Sequence, residues 1–217
     1  MEKWAVIVAG GSGTRMGADT LKQFMLLAGK PVLMHTLEKF EGCHIIVVLP
    51  AEQIQYWRGL CRAHGCKVEH RTVAGGDSRQ ESVLCGLRLV PDEAVVAVHD
   101  GVRPLASRSL IDRCFAEAEQ QGCAIAAVEC TDSLRCDGKA VDRSRYLLMQ
   151  TPQTFRASQL KDAYSRYAAD TDMPLSRFTD DASIYEAAGG SLHFVKGERG
   201  NIKITLPVDL RIAEALV

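Results

Sequence analysis

The chain has 217 residues, 47% of them hydrophobic and 24% charged, a make-up that suits a folded globular protein and excludes a disordered one. Its formal net charge of -1 gives no general attraction to nucleic acid or anionic membrane, so any basic site has to be a local cluster. The eight cysteines contain no C-x-x-C pair and no histidine pair nearby at ligand spacing, which sets aside a zinc or thioredoxin-type centre.

The first predicted strand is "WAVIVA" (4–9), and the chain enters it without an export signal. No apolar run reaches the roughly 18 residues that a membrane span needs, so the expectation is a reduced, cytoplasmic protein. Further strands are predicted at "HIIVVLP" (44–50), "KVEHRTVA" (67–74), "AVVAVHD" (94–100) and "CAIAAVE" (123–129), then late at "LHFVKG" and "NIKIT". The nearly unbroken apolar run from Ile45 to Leu49 suits a strand buried on both faces, as in a parallel sheet.

Helices are expected between these strands. Residues 78–90 place Val83, Leu87 and Val90 on one stripe, with Asp77 as the expected N-cap. Residues 107–121 open at Ser107 and stop before Gly122. "FTDDASIYEAAGG" reads as a third helix capped by Thr179, and Pro207 stands where a last helix should begin. Strand and helix in alternation predict an α/β fold with a Rossmann-like, mostly parallel sheet, and one domain over residues 1–217. The pattern breaks between about 130 and 156. There Asp137-Gly138, a hairpin-turn dipeptide, predicts an inserted β-hairpin arm.

The segment "VAGGSGTRMGADTLKQF" (8–24) follows the first strand directly. It is not a P-loop, because no Gly-Lys-Ser/Thr occurs. Nor is it a dinucleotide fingerprint. Gly11 and Gly13 are followed by Met16 where a third glycine belongs, and the second strand ends "VVLP" without a ribose-binding acid. A tight turn is one reading of the glycines, and a backbone cradle for an anion is the other. Arg15 and Lys22 favour the cradle, one as a fork for phosphate oxygens and one as a point charge.

Three more motifs carry chemistry. "GGDSRQESV" (75–83) opens a helix with free N–H groups and puts Arg79 and Ser82 on one face, which suits a polar ligand or a plain capped surface helix. "VHDGVRP" (98–104) sets Asp100 at the carboxyl end of a buried strand. There a carboxylate can hold Mg²⁺ or pair with Arg103. In "NIKIT" (201–205), strand alternation would turn Lys203 away from Ile202 and Ile204, either to solvent or to a site.

Taken in order and spacing, "AGGSGTRMG…LKQF", "GGDSRQESV", "HDGVRPL", "VDR", "QTPQTF", "TDDAS" and "NIKIT" resemble the 2-C-methyl-D-erythritol 4-phosphate cytidylyltransferases from residue 4 to about residue 215. The layout also looks like that of a sister family, the ribitol-5-phosphate cytidylyltransferases. The resemblance implies a nucleotidyltransferase fold and CTP, a small polyol phosphate and Mg²⁺ as ligands. It implies that Ala9, Gly10, Gly11, Ser12 and Gly13 hold CTP with Arg15 and Lys22, that Gly76, Asp77, Arg79 and Ser82 surround cytosine and ribose, and that Lys203 meets the phosphates. Asp100 would lie near the metal and the acceptor hydroxyls, with Arg103 supporting it and Thr205 near the acceptor. The arm would cross to a second subunit, so that Arg143 binds the acceptor phosphate in the partner's site and Ser133 lies on the same arm. Neither nucleic acid nor membrane is an expected partner.

Three positions depart from the family's pattern. Leu21 stands where proline usually precedes the loop lysine, and Gly101-Val102 stand where two alanines are more common. A ribitol-type acceptor and a non-catalytic nucleotide-binding module are the competing readings.

Overall fold

The computed structural model describes residues 1–11, 21–168 and 173–217. In chain order the first half holds β1 (Lys3–Val8), β2 (Leu26–Leu27), β3 (Lys30–Pro31), α1 (Val32–Lys39), β4 (His44–Leu49), α2 (Ile54–Ala63), β5 (Arg71–Ala74), α3 (Arg79–Leu87), β6 (Val95–Asp100) and α4 (Arg108–Gln121). The second half holds β7 (Cys123–Glu129), β8 (Leu134–Cys136), β9 (Lys139–Val141), β10 (Leu147–Arg156), α5 (Ala157–Tyr167), α6 (Asp181–Ala187), β11 (Phe194–Lys196) and α7 (Pro207–Glu214).

Seven of these strands form one sheet in the order β11-β7-β10-β6-β1-β4-β5. The pairs β1–β4, β1–β6, β4–β5 and β11–β7 are parallel, while β10 runs antiparallel to both of its neighbours. Alternation along β1 builds two cores. Ala5 and Ile7 face Leu33, Leu37, Trp57 and Phe115 on one side, and Val6 and Val8 join Val83, Leu87, Leu160 and Tyr164 on the other. Helices thus cover both faces, which explains the continuous apolar runs of the central strands.

Several boundaries differ from the sequence expectation for identifiable reasons. Helix α3 is capped by Ser78 rather than Asp77: the Ser78 hydroxyl accepts the Glu81 N–H at 3.1 Å while the Glu81 carboxylate accepts the Ser78 N–H at 2.9 Å. Helix α6 is capped by Asp180 rather than Thr179, through the Ser183 N–H at 3.0 Å. Of the strand expected over 67–74, only Arg71–Ala74 pairs with β4, at the sheet edge. The segment 201–205 is not a strand. It is anchored by Ile204, fully buried, whose N–H bonds to the Val102 carbonyl at 2.9 Å.

The predicted hairpin is present as β8 and β9, with Asp137 and Gly138 both at positive φ, as the tight turn demands. The arm is shorter than the 130–156 expected, because Leu147–Arg156 belongs to the central sheet. Pro152 obscures this strand in the sequence, since a proline cannot donate to a sheet ladder. The structure places it in a register shift between Met149 and Gln153, where no such bond is needed. Among the described residues, no helix is long and apolar enough to cross a membrane.

Gly101 follows β6 directly and donates its N–H to the Val8 carbonyl at 2.8 Å. A Cβ there would lie 2.9 Å from the Ala9 Cβ and 3.0 Å from the Leu33 Cδ1, so the backbone approaches closely because the side chain is missing. Gly101→Ala is therefore expected to lower stability by about 1–3 kcal/mol through overpacking, read as a lower urea midpoint at unchanged slope.

Candidate active site

The parallel pairing of β1 with β6 sets Val8 opposite Asp100, so the glycine loop and the aspartate emerge side by side at the carboxyl edge of the sheet. That edge is where ligands of open α/β sheets bind. A cleft of about 420 Å³ lies there. Of the residues singled out in the sequence, it brings together Ala9, Gly10, Gly11, Lys22, Gly76, Asp77, Arg79, Ser82, Asp100 and Lys203. Arg103 is absent from the lining but pairs with Asp100, while Thr205 lies just past Lys203 and gives its N–H to Asp209 at 2.8 Å. Ser133 and Arg143 stand on the exposed arm and do not line this cleft. Ser12, Gly13 and Arg15 lie outside the described residues.

Asp100 is the electrostatic centre. Its Oδ2 lies 3.0 Å from Lys203 Nζ and 3.3 Å from Arg103 Nε, and its Oδ1 lies 3.6 Å from Arg79 Nε. Burial alone would push its carboxyl up, but Arg79 first, then Lys203 and Arg103, hold it well below the usual carboxylate range. Arg79 bridges to a second acid, with its Nη2 2.8 Å from Asp181 Oδ2, while the Tyr164 hydroxyl donates to Asp181 Oδ1 at 2.6 Å. Burial works against the charge on Arg79, yet Asp181 and Asp100 together hold the guanidinium protonated.

Beneath Asp100 a chain of hydrogen bonds fixes the end of β6. The Asp100 N–H donates to Thr151 Oγ1 at 3.1 Å, and Thr151 Oγ1 lies 3.0 Å from His99 Nδ1. With His99 Nε2 3.2 Å from the Arg103 carbonyl, a neutral imidazole protonated on Nε2 satisfies both contacts. Burial lowers the His99 pKa to about 4. The unfolded chain binds that proton near pH 6.5, so the contribution of His99 to stability is present above pH 6.5 and is lost as pH falls toward 4. Unfolding titrations should show a loss of about 3 kcal/mol across this window, and the loss should be absent in His99→Asn.

The lysine of the loop is positioned by its neighbours. A Cβ on Gly11 would lie 3.3 Å from Lys22 Cε and 3.5 Å from Nζ, which sets the ammonium beside the glycine backbone. Gln23, fully buried, donates Nε2 to the Ala9 carbonyl at 2.8 Å and ties the lysine's short 3-10 turn to the end of β1. Leu21 has φ -62°, the value a proline would impose, so its replacement of proline keeps the backbone path to Lys22.

Gln23, Thr151, Asp181 and Asn201 shape the site; each lies inside a quoted motif, in "LKQF", "QTPQTF", "TDDAS" and "NIKIT", but the sequence reading gave none of them a role. Asn201 is buried and donates Nδ2 to the Thr151 carbonyl at 2.8 Å, while its own carbonyl accepts from Arg103 Nη1 at 2.7 Å. In the sequence it opens the motif "NIKIT", two residues before Lys203. Gln23 sits similarly beside Lys22.

A family model described as 2-C-methyl-D-erythritol 4-phosphate cytidylyltransferase matches residues 4–217. The chain belongs to the 2-C-methyl-D-erythritol 4-phosphate cytidylyltransferase family. A relative of that name from Porphyromonas gingivalis is 50% identical over 224 residues, covering 100% of this chain and 98% of its own. One from Bacteroides thetaiotaomicron is 45% identical over 225 residues and is covered in full by this chain. Among solved structures, the cytidylyltransferase of this name from Thermus thermophilus superposes with a TM-score of 0.81 at 30% identity, covering 100% of this chain and 98% of that one. The 4-diphosphocytidyl-2C-methyl-D-erythritol synthase from Anaerococcus prevotii gives a TM-score of 0.83 at 27% identity, covering 99% of this chain and 95% of that one. The family's α/β architecture is therefore that of this chain, and its extent agrees with the span of motifs found in the sequence.

Proposed function

We propose that this protein transfers the cytidylyl group of CTP to 2-C-methyl-D-erythritol 4-phosphate and releases pyrophosphate, a step of isoprenoid precursor synthesis. The observation that carries the reading is one cleft lined by Lys22, Arg79, Lys203 and the glycines that follow β1, with an ionised Asp100 paired to Arg79 and Lys203. The reaction is an in-line displacement at the α-phosphorus by an acceptor phosphate that already bears negative oxygen. No strong general base is required. The obstacles are repulsion between two anions and charge accumulating on phosphorus, and preorganised cations meet both. This agrees with a cleft whose central carboxylate is held ionised and whose neighbouring histidine is buried and neutral.

In this reading Lys22, Lys203 and Arg15 neutralise the triphosphate and the leaving pyrophosphate, with Ala9, Gly10, Gly11, Ser12 and Gly13 turning backbone toward it. Gly76, Asp77, Arg79 and Ser82, at the capped start of α3, hold the nucleoside end. Asp100 and Arg103 border the acceptor, with Thr205 nearby. Mg²⁺ fits the residues present: Asp100 Oδ1 has Arg79 near it at 3.6 Å, beyond a hydrogen bond, which leaves lone pairs for a hard cation that draws its other ligands from phosphate and water. Bound there, the ion would add charge neutralisation at the phosphates. Product analysis by phosphorus NMR tests the assignment. The expected product is a pyrophosphate-linked diester made from methylerythritol phosphate, whereas preferential use of ribitol 5-phosphate would move the protein to the sister reaction.

The arm supports a homodimer. Its strands β8 and β9 are largely exposed, and Tyr146, Leu147, Leu148 and Phe194 leave apolar surface open around its base. Arg143, on this arm, would hold the acceptor phosphate in the partner's cleft, an orientation effect. An Arg143→Ala subunit mixed with a Lys22→Ala subunit should then recover up to about a quarter to a half of wild-type turnover, since mixed dimers assemble one intact site. No recovery on mixing would contradict the crossed arm.

A further inference from the structure

Helix α2 ends in a turn unrelated to the cleft. The His64 N–H bonds to the Leu60 carbonyl at 2.9 Å, and across Gly65, at φ +64°, the Cys66 N–H reaches back to the Cys61 carbonyl at 2.9 Å. This six-to-one closure is the Schellman motif, which brings the side chains at its two ends into contact, commonly as an apolar pair. Here both ends are cysteines, each partly exposed, and the two thiols lie close enough to influence each other's charge. The interaction with Cys61 pulls the Cys66 thiol below its ordinary range, against the opposing effect of burial, and raises Cys61.

We propose that Cys61 and Cys66 form a reversible dithiol–disulfide site, closed by exchange with a small-molecule disulfide. The backbone closure brings the Cys66 N–H to within 2.9 Å of the Cys61 carbonyl, the close approach that a disulfide across this turn requires. Cys66, as thiolate, attacks one sulfur of the small disulfide and expels its first thiolate, which takes up a proton. Cys61 then releases its proton to solvent and attacks the Cys66 sulfur, expelling the second thiolate. Two protein thiols are oxidised and one small disulfide is reduced to two thiols, so the exchange balances. A loop this short restricts the unfolded chain little, so the closed form is easily reduced again.

The test uses the full chain equilibrated with glutathione and glutathione disulfide near neutral pH, quenched with acid, alkylated and peptide-mapped. Wild type is expected to lose two of its eight thiols and yield one cross-linked peptide joining Cys61 to Cys66, with all thiols recovered on reduction. Cys61→Ser should retain a glutathione adduct on Cys66. Cys66→Ser should react at Cys61 about 10-fold more slowly than wild type, having lost its thiolate nucleophile. A persistent adduct on wild-type Cys66, a cross-link between other cysteines, or no thiol loss at all would each overturn the proposal.

Discussion

Lys203→Ala is expected to fold like the wild type and to lose on the order of 10² to 10³ in kcat, with Lys22→Ala behaving alike. The Lys203 side chain is 40% exposed, and its segment is held by buried Asn201 and Ile204 rather than by the lysine itself. Removing it leaves Asp100 still paired with Arg79 and Arg103, so no buried charge is abandoned. What is lost is one of the cations that the proposed mechanism turns toward the phosphates. Steady-state turnover set beside a urea unfolding curve separates the two quantities. Near-wild-type turnover in either variant would remove the cationic cleft from the mechanism.

Asp100→Ala should behave differently, losing both activity and fold stability. Its carboxylate is 8% exposed and is shared by three cations, of which Arg79 and Arg103 are themselves mostly buried. Breaking a buried pair from one side typically costs about 3–5 kcal/mol, because the remaining charge is left uncompensated. Arg79 keeps Asp181 and Arg103 keeps the Asn201 carbonyl, which places the expected loss at the lower end, about 3 kcal/mol. An unchanged unfolding midpoint would show that Asp100 does not organise the cluster.

Much of this site was legible in the sequence because its parts sit where strand ends and glycine turns announce themselves. Asp100 at the end of "VVAVHD" and Lys22 after the glycine loop are of this kind. The partners that fix them were hidden for physical reasons. Asp181 lies 102 residues beyond Arg79 in the chain and meets it only because α3, α5 and α6 pack on the same face of the sheet. No local pattern records that contact, nor the bond from Tyr164 that holds Asp181 in place. Thr151 lies beside a proline that masked β10 as a central strand, so its hydrogen bonds to Asp100 and His99 could not be foreseen. The caps at Ser78 and Asp180 were each read one residue early, because adjacent polar side chains compete for the same N–H groups.

The central claim is that this cleft moves a cytidylyl group onto a polyol phosphate. The most direct measurement is pyrophosphate release by the purified protein with CTP and Mg²⁺, with and without 2-C-methyl-D-erythritol 4-phosphate. The account predicts release that depends on the acceptor and falls sharply in Lys203→Ala. Binding of CTP with no acceptor-dependent release would contradict it and leave a nucleotide-binding module that has kept the fold without the reaction.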